Sequence, residues 1–232
     1  MKHAGKARKA AFKIILFSFI AGAILWGLLM LGALLATASV PILLIILPFL
    51  LGIWVLFSVF TLYFFRDPNP KTVPSLNAVL SPAYGKVDVI DRTVEPLFMK
   101  GECQRVSVFL SVLDVHVQNA PISGKVVFYK YTTGEFMNAI KTECADCNEN
   151  ALLGFDCTDP AGKKIALRLI AGVIARRIVP YVKEGEEIVK GQRISLVQFG
   201  SRGDIYLPLD AKINVKLGDH VVGGETILAR FD

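Results

Sequence analysis

The sequence predicts a helical hairpin that crosses a membrane twice, followed by a β-rich domain assembled from two similar halves. Three observations carry that reading. Two uncharged apolar runs, Ile14 to Ala36 and Ile42 to Phe65, follow one another near the amino end, and each is long enough to cross a bilayer as a helix. From Leu80 onward, short alternating runs are separated by Gly, Pro, Asn and Asp, the pattern of short strands and tight turns. Two stretches of this second part occur twice, and repetition within a chain marks repeated structure.

Residues 1–13 form a basic tail, with Lys2, Lys6, Arg8, Lys9 and Lys13 and no acid. A basic run beside an apolar run is drawn to anionic lipid. Aromatic and basic residues do not interleave as single-stranded nucleic acid would require, so no nucleic-acid partner is expected. The first apolar run is too long for a signal peptide, lacks a convincing small-residue cleavage site and is followed at once by a second run, which argues against a cleaved leader. Thr37-Ala38-Ser39-Val40-Pro41 separates the runs. Pro48 is tolerable inside a membrane helix, where neighbours satisfy the freed carbonyl. Tyr63, Phe64 and Phe65 close the second run with interfacial aromatics. Basic residues precede the first run and follow the second (Arg66, Lys71), whereas the turn has none; both ends are therefore expected on the cytoplasmic side of the cell (inner) membrane. Residues 14–65 read as the two-helix hairpin and residues 66–232 as a cytoplasmic domain at the membrane surface. Such an anchor suits an enzyme acting on a bilayer component, and it serves equally as a plain tether.

The chain is 53% hydrophobic with a net charge of +6, and its mean hydropathy of +0.50 is too high for an ordinary soluble domain. The excess is local to the hairpin. Roughly 165 residues remain beyond it, enough for one domain with its own core. Strands are predicted at Lys86–Ile90, Arg105–Leu110, Val115–Val117, Lys125–Tyr129, Lys164–Ile170, Ile188–Val189 and Ile213–Val215, with two more at Ile194–Phe199 and Asp204–Leu207. The stretch from Ala171 to Arg177 fits a strand or a short helix.

The first echo pairs Pro82-Ala83-Tyr84-Gly85-Lys86-Val87 with Pro121-Ile122-Ser123-Gly124-Lys125-Val126. The second pairs Gly185-Glu186-Glu187-Ile188-Val189-Lys190-Gly191 with Gly218-Asp219-His220-Val221-Val222-Gly223-Gly224. In each, a glycine-rich turn leads into a strand. The second echo resembles the turn-strand-turn signature of biotinyl- and lipoyl-type domains, which implies a pseudo-duplicated barrel-sandwich hybrid whose strands pair across the halves. The four cysteines are Cys103, Cys144, Cys147 and Cys157. Cys144-Ala-Asp-Cys147 has the spacing of half a zinc site or a redox pair, but Cys103 and Cys157 offer no matching second half, and reduced cysteines without metal are expected.

Two places carry candidate chemistry. Gly200-Ser201 lies between two strand-like runs; a glycine there allows close approach and unusual backbone angles, and the serine hydroxyl could attack the neighbouring carbonyl if a base took its proton. A tight turn or bulge is the plain alternative. Of the three histidines, His3 lies in the basic tail and His220 in a glycine-rich turn. His116 follows Asp114 by two residues, so on a strand both would share one face, as an orienting pair for acid–base work or as a satisfied surface histidine.

Five segments, taken in order, resemble the short membrane-anchored form of phosphatidylserine decarboxylase. They are Phe64-Phe65-Arg66-Asp67-Pro68, Ser81 to Val87, Phe109 to Pro121, Ile170 to Val179 and Gln198 to Pro208. The resemblance covers nearly the whole chain and implies a proenzyme that cuts itself. Ser201 attacks the Gly200 carbonyl, the amide becomes an ester, and β-elimination releases the chain ending at Gly200 and leaves a pyruvoyl group in place of Ser201. That group binds the amine of phosphatidylserine as a Schiff base and accepts the electrons left when CO2 departs; phosphatidylethanolamine is the product. The two cleaved chains are expected to stay together as a heterodimer, and a homo-oligomer is compatible with the resemblance. His116 matches the family's base. Arg176 and Arg177 could hold the lipid phosphate or form a solvated basic patch. Where the family usually has Asp in Ser-Pro-Ala-Asp-Gly, this chain has Tyr84, which cannot carry a carboxylate's charge at neutral pH; Asp114 or Asp88 could stand in. Gln118-Asn119 replaces the more usual Asn-Arg. Two other classes compete: an uncleaved or slowly maturing relative, and a membrane-tethered barrel-sandwich carrier, for which no modifiable Met-Lys-Met or Asp-Lys-Ala site is evident. Nothing in the residues selects between diacyl and archaeal ether lipids.

Overall fold

The computed structural model describes residues 2–35, 40–72, 74–134, 148–172, 177–198 and 200–231. The chain divides into two compact units, Gly5–Asp67 and the rest.

In the first unit, helix α1 spans Lys6–Leu35 and helix α2 spans Val40–Phe64. Both are long and apolar enough to cross a membrane. α1 starts at Lys6 rather than Ile14 because a helix boundary is set by backbone hydrogen bonds, not by apolarity: Lys9 N–H already donates to Gly5 O at 3.0 Å, and Lys and Arg are good helix formers. The N–H of Gly5 is held by Asp67 Oδ2 at 3.0 Å, a carboxylate at the positive end of the α1 dipole. Trp54 Nε1–H donates to Ser18 Oγ at 3.1 Å, and Phe19 and Trp54 stack with centroids 5.2 Å apart. Such polar pairing between apolar helices satisfies the Trp54 indole N–H. Pro48 lies within α2 without ending it. At the end of α2, Arg66 Nη1 donates to Tyr63 O at 3.0 Å, closing a carbonyl that the helix leaves open.

The second unit is β-rich. Its strands are β1 (Ala78–Leu80), β2 (Gly85–Glu95), β3 (Gly101–Leu110), β4 (Val117–Asn119), β5 (Ser123–Thr132), β6 (Asn150–Asp159), β7 (Ala161–Ala171), β8 (Arg177–Pro180), β9 (Glu187–Ile188), β10 (Arg193–Gln198), β11 (Ser201–Leu207), β12 (Lys212–Ile213), β13 (His220–Val221) and β14 (Ile227–Arg230). Among the described residues they form one sheet in the order β13-β2-β3-β11-β7-β6-β5-β9 and two smaller ones, β4-β10-β8 and β1-β14-β12. Every pairing is antiparallel.

Strand β11 lies in the middle of the large sheet, paired with β3 on one side and β7 on the other. Its side chains alternate between faces. Ile205 and Leu207 enter the main core with Val87, Val106, Val108, Leu153 and Leu167. Tyr206 joins a smaller cluster with Cys103, Leu152 and Ala166, against which Phe98 packs. Phe98 is laid there by a turn whose N–H groups, at Leu97, Phe98 and Met99, all donate to the Glu95 carboxylate at 2.7–3.0 Å. Cys103 and Cys157 are buried thiols, and burial pushes the Cys157 thiol up to about 12. Cys144 and Cys147 lie outside the described residues.

The echoes seen in the sequence are paired alike. Gly85 faces Val221 and Lys86 faces His220 where β2 meets β13; Gly124 faces Ile188 and Lys125 faces Glu187 where β5 meets β9. The flanking bonds also correspond. Val87 N–H donates to Asp219 O at 2.9 Å and receives Gly218 N–H at 2.8 Å on its carbonyl, while Val126 N–H donates to Glu186 O at 2.9 Å and receives Gly185 N–H at 2.7 Å. In both halves the glycine is needed for room: a Cβ on Gly85 would stand 2.1 Å from Phe109 O, and one on Gly124 would stand 2.1 Å from Asp156 O.

Several predicted elements differ in extent. Val115–Val117 gives a strand only from Val117, because residues 111–116 form a turn and its exit. Ile213–Val215 contributes only Ile213, to β12. The stretch left between strand and helix ends β7 at Ala171 and begins β8 at Arg177, while residues 173–176 lie outside the described residues.

Gly85→Ala and Gly124→Ala should each destabilise the β domain by about 1–3 kcal/mol through backbone overpacking. Gly101→Ala, with nothing within 4 Å of the added carbon, should leave it nearly unchanged, as read from thermal melts in detergent.

Candidate active site

Gly200 occupies the turn between β10 and β11 with φ +73°, a left-handed conformation that favours glycine. Its peptide groups are gripped from two directions. The N–H of Gly200 donates to His116 Nε2 at 3.0 Å. The carbonyl of Gly200 accepts the N–H of Gly172 at 3.0 Å. Ser201 follows as the first residue of β11, opposite Leu110 of β3 and Ala171 of β7. It is 1% exposed, and its Oγ has no hydrogen-bond partner among the described residues.

His116 is fully buried and its protonation is dictated by its neighbours. Nδ1 lies 2.9 Å from Asp114 O, an atom that can only accept, so Nδ1 carries the proton. Nε2 faces an N–H that can only donate, so Nε2 presents its lone pair. The ring's backbone is fixed as well. Val197 N–H and Gln118 Nε2 both donate to His116 O, at 3.1 and 2.8 Å, and Ser195 Oγ donates to Gln118 Oε1 at 2.6 Å. Asn119 Nδ2 donates to Gly191 O at 2.9 Å. The two residues that depart from the usual Asn-Arg thus brace the chain around His116.

Asp114 does not act as expected. Its carboxylate accepts Ser111 N–H at 2.8 Å and Ser111 Oγ–H at 2.7 Å, because residues 111–114 form a turn and not a strand, and the carboxylate closes that turn. Asp114 supports His116 through its main-chain carbonyl. Asp88 pairs with Arg202, the residue after Ser201. It is the extra residue of a β-bulge, since Val87 faces Val108 while Val89 faces Ser107, and the bulge turns its carboxylate to the guanidinium. Tyr84 lies beside Gly223, where an added Cβ would stand 2.7 Å from the ring and 3.1 Å from Asn119 Oδ1. Arg177 is exposed and faces Gln198 across β8 and β10. Arg176 lies outside the described residues.

The face of β11 opposite Ser201 carries a partly buried network of charged side chains. Arg105 pairs with Asp91 at 2.6 Å, Arg168 lies 3.7 Å from Glu95, and Arg202 pairs with Asp88. Asp204 lies among them, fully buried. Burial pushes its carboxyl up, against the pull of Ser107 and of Arg202, Arg105 and Arg168. Burial likewise raises Asp88 despite Arg202.

The family model for phosphatidylserine decarboxylase matches residues 57–229. A phosphatidylserine decarboxylase proenzyme of Desulfotalea psychrophila is 46% identical over 77% of this chain and 83% of its own length. One from Citrifermentans bemidjiense is 44% identical over 74% and 77%, and one from Amoebophilus asiaticus is 37% identical over 94% of each. The chain belongs to the phosphatidylserine decarboxylase family. Members of the phosphatidylserine decarboxylase family decarboxylate phosphatidylserine with a pyruvoyl group that arises by autocatalytic cleavage of a proenzyme, and this chain is accordingly a decarboxylase. The geometry around Ser201 is compatible with that group: a buried hydroxyl, without a hydrogen-bond partner among the described residues, stands directly after a carbonyl that receives a backbone N–H.

Sequence reasoning missed Gly172. It lies within a segment that matched the family, yet its contribution is a backbone N–H, which leaves no side-chain signature.

In Ser201→Ala protein labelled with 15N-histidine, His116 should show a protonated Nδ1 and a bare Nε2 at neutral pH by NMR. Asp204 should make the fold pH-dependent. With a carboxyl raised above its ordinary value of 3.8, the folded state binds the proton more tightly than the unfolded state, so this group's contribution to stability grows on acidification and is lost as the pH rises through the raised value. Measured against Asp204→Asn in melts across that range, the native protein should gain stability as the pH falls.

Proposed function

We propose that this chain cuts its own Gly200–Ser201 bond, turns Ser201 into the pyruvoyl group and decarboxylates phosphatidylserine beside the membrane. The single observation behind this reading is how Gly200 is held, with His116 Nε2 on its N–H and Gly172 N–H on the carbonyl of the Gly200–Ser201 bond.

Ser201 Oγ adds to the Gly200 carbonyl carbon, and its proton passes to His116 Nε2 once that atom gives up the Gly200 N–H. Negative charge gathers on Gly200 O, where Gly172 N–H already points. The C–N bond then breaks, the Ser201 nitrogen takes a proton, and an ester joins Gly200 to Ser201. Loss of the Ser201 Cα proton expels the Gly200 carboxylate and leaves dehydroalanine; water replaces its nitrogen, released as ammonia, to leave the ketone. When formed, the group supplies a carbonyl for the substrate amine and a sink for the electrons left by CO2.

The small fragment, residues 201–232, stays bound as one half of a heterodimer because β11 is paired on both edges by β3 and β7, β13 pairs with β2 and β14 pairs with β1. In the mature enzyme, His116 holds or returns the proton near the reacting atoms, and Arg177, with Arg176, meets the lipid phosphate. Both helices cross the inner membrane, residues 14–65 forming the hairpin, with the basic tail of residues 1–13 and the domain of residues 66–232 in the cytoplasm. The matched pairing of the two halves supports reading that domain as a barrel-sandwich hybrid.

Mass analysis of purified protein should find Met1–Gly200 and a fragment from Ser201 to Asp232 with a blocked amino end. Ser201→Ala should remain one chain without decarboxylase activity, and His116→Ala should lose cleavage by at least about 100-fold. An intact native chain that decarboxylates the lipid would overturn the reading.

A further inference from the structure

The Gly172 N–H that meets the Gly200 carbonyl belongs to a peptide group whose other end is also held. Ala171 O, the carbonyl of that same peptide, accepts Asn148 Nδ2–H at 2.7 Å. A trans peptide directs its C=O and N–H to opposite sides. The bonds therefore run in series, from the Asn148 amide through the Ala171–Gly172 peptide to the Gly200 carbonyl. The acceptor at the start is a main-chain carbonyl, so the Asn148 side chain presents its NH2 there. Asn148 is 1% exposed, and its placement is fixed from both sides: Asn150 Nδ2 donates to Asn148 O at 2.9 Å, and Ala171 N–H donates to Glu149 O at 2.9 Å. All this lies against Ser201, which faces Ala171 across β11 and β7.

We propose that Asn148 is a positioning residue for self-cleavage, orienting and polarising the Ala171–Gly172 peptide so that its N–H stabilises the oxygen charge that forms at Gly200. The proposal rests on reading Gly200–Ser201 as the bond that is cut. Hydrogen bonds in a chain strengthen one another, and the effect is larger where water is excluded. Donation to Ala171 O draws electron density from the peptide nitrogen and makes the Gly172 N–H a better donor. The benefit is greatest when the Gly200 oxygen carries full charge, as it does in the transition state of the acyl shift and not in the resting amide. Without the Asn148 NH2, Ala171 O loses a buried donor and the Gly172 N–H loses its fixed direction. Once the chain is cut, the carbonyl that this peptide served has become a carboxylate terminus, so Asn148 acts on maturation and not on lipid turnover.

The test follows cleavage of the full-length chain made by cell-free synthesis in the presence of phospholipid vesicles, with fragments resolved over time. Asn148→Ala should slow the appearance of the Met1–Gly200 fragment about 10- to 100-fold, less than loss of a direct oxyanion donor. Added hydroxylamine should not restore the rate, because the ester itself forms slowly; ester that accumulates and is released by hydroxylamine would place the defect in elimination and overturn the proposal. Asn148→Asp, nearly the same shape, offers an acceptor at neutral pH and an O–H donor once protonated. Its cleavage rate relative to the native chain should therefore rise as the pH falls, and this ratio decides the matter even if Asn148→Ala does not fold. A ratio flat with pH, or native-rate cleavage by Asn148→Ala, would refute the role of Asn148 while leaving the cleavage site intact. Failure of the native chain to break between Gly200 and Ser201 would instead refute the underlying reading.

Discussion

The site depends on how the Gly200 peptide is held. A glycine in a left-handed turn is gripped at its N–H by a histidine nitrogen and at its carbonyl by a backbone N–H, with a buried serine hydroxyl next along the chain. Each grip comes from a different part of the fold. His116 stands on the turn that leads into β4, and Gly172 directly follows β7. Neither could be brought to Gly200 by local structure, so the site exists only once the sheets have closed around it.

That dependence suits the place of Ser201 at the start of β11, in the middle of the eight-stranded sheet. With β3 and β7 on its two edges, β11 has its backbone groups committed along its length. The strand remains anchored whether or not it is covalently joined to β10. The opposite face adds to this, because Arg202, next to Ser201, is buried and paired with Asp88. One strand thereby presents the hydroxyl to the core side while its other side is locked, an outcome of the two-residue period of a β-strand.

The duplicated halves give the frame but not the site. Gly85 and Gly124 are packed alike, and the paired turns at Gly218 and Gly185 make the same bonds. The symmetry does not extend to His116, since the other two histidines are His3 in the basic tail and His220 in β13, and the two members of the other repeat, β9 and β13, lie at the outer edges of the large sheet.

Much was legible in the residues themselves. Apolar runs of bilayer length, alternation into short strands, the internal echoes and the Gly200–Ser201 and His116 positions can all be read along the chain, because hydrophobicity, repetition and rare side chains are properties of sequence alone. What the residues could not reveal was which groups meet. A strand at Asp114 would set its carboxylate beside His116; the chain turns there, and the main-chain carbonyl of Asp114 meets the ring instead. Asn148 and Gly172 drew no attention, since an ordinary amide and a main-chain N–H acquire meaning only from what lies opposite them. The sequence determined the kinds of element and the atoms capable of chemistry. The tertiary structure decided their partners, because hydrogen bonds between segments far apart in the chain are settled by closure of the sheets, and no local pattern encodes that geometry.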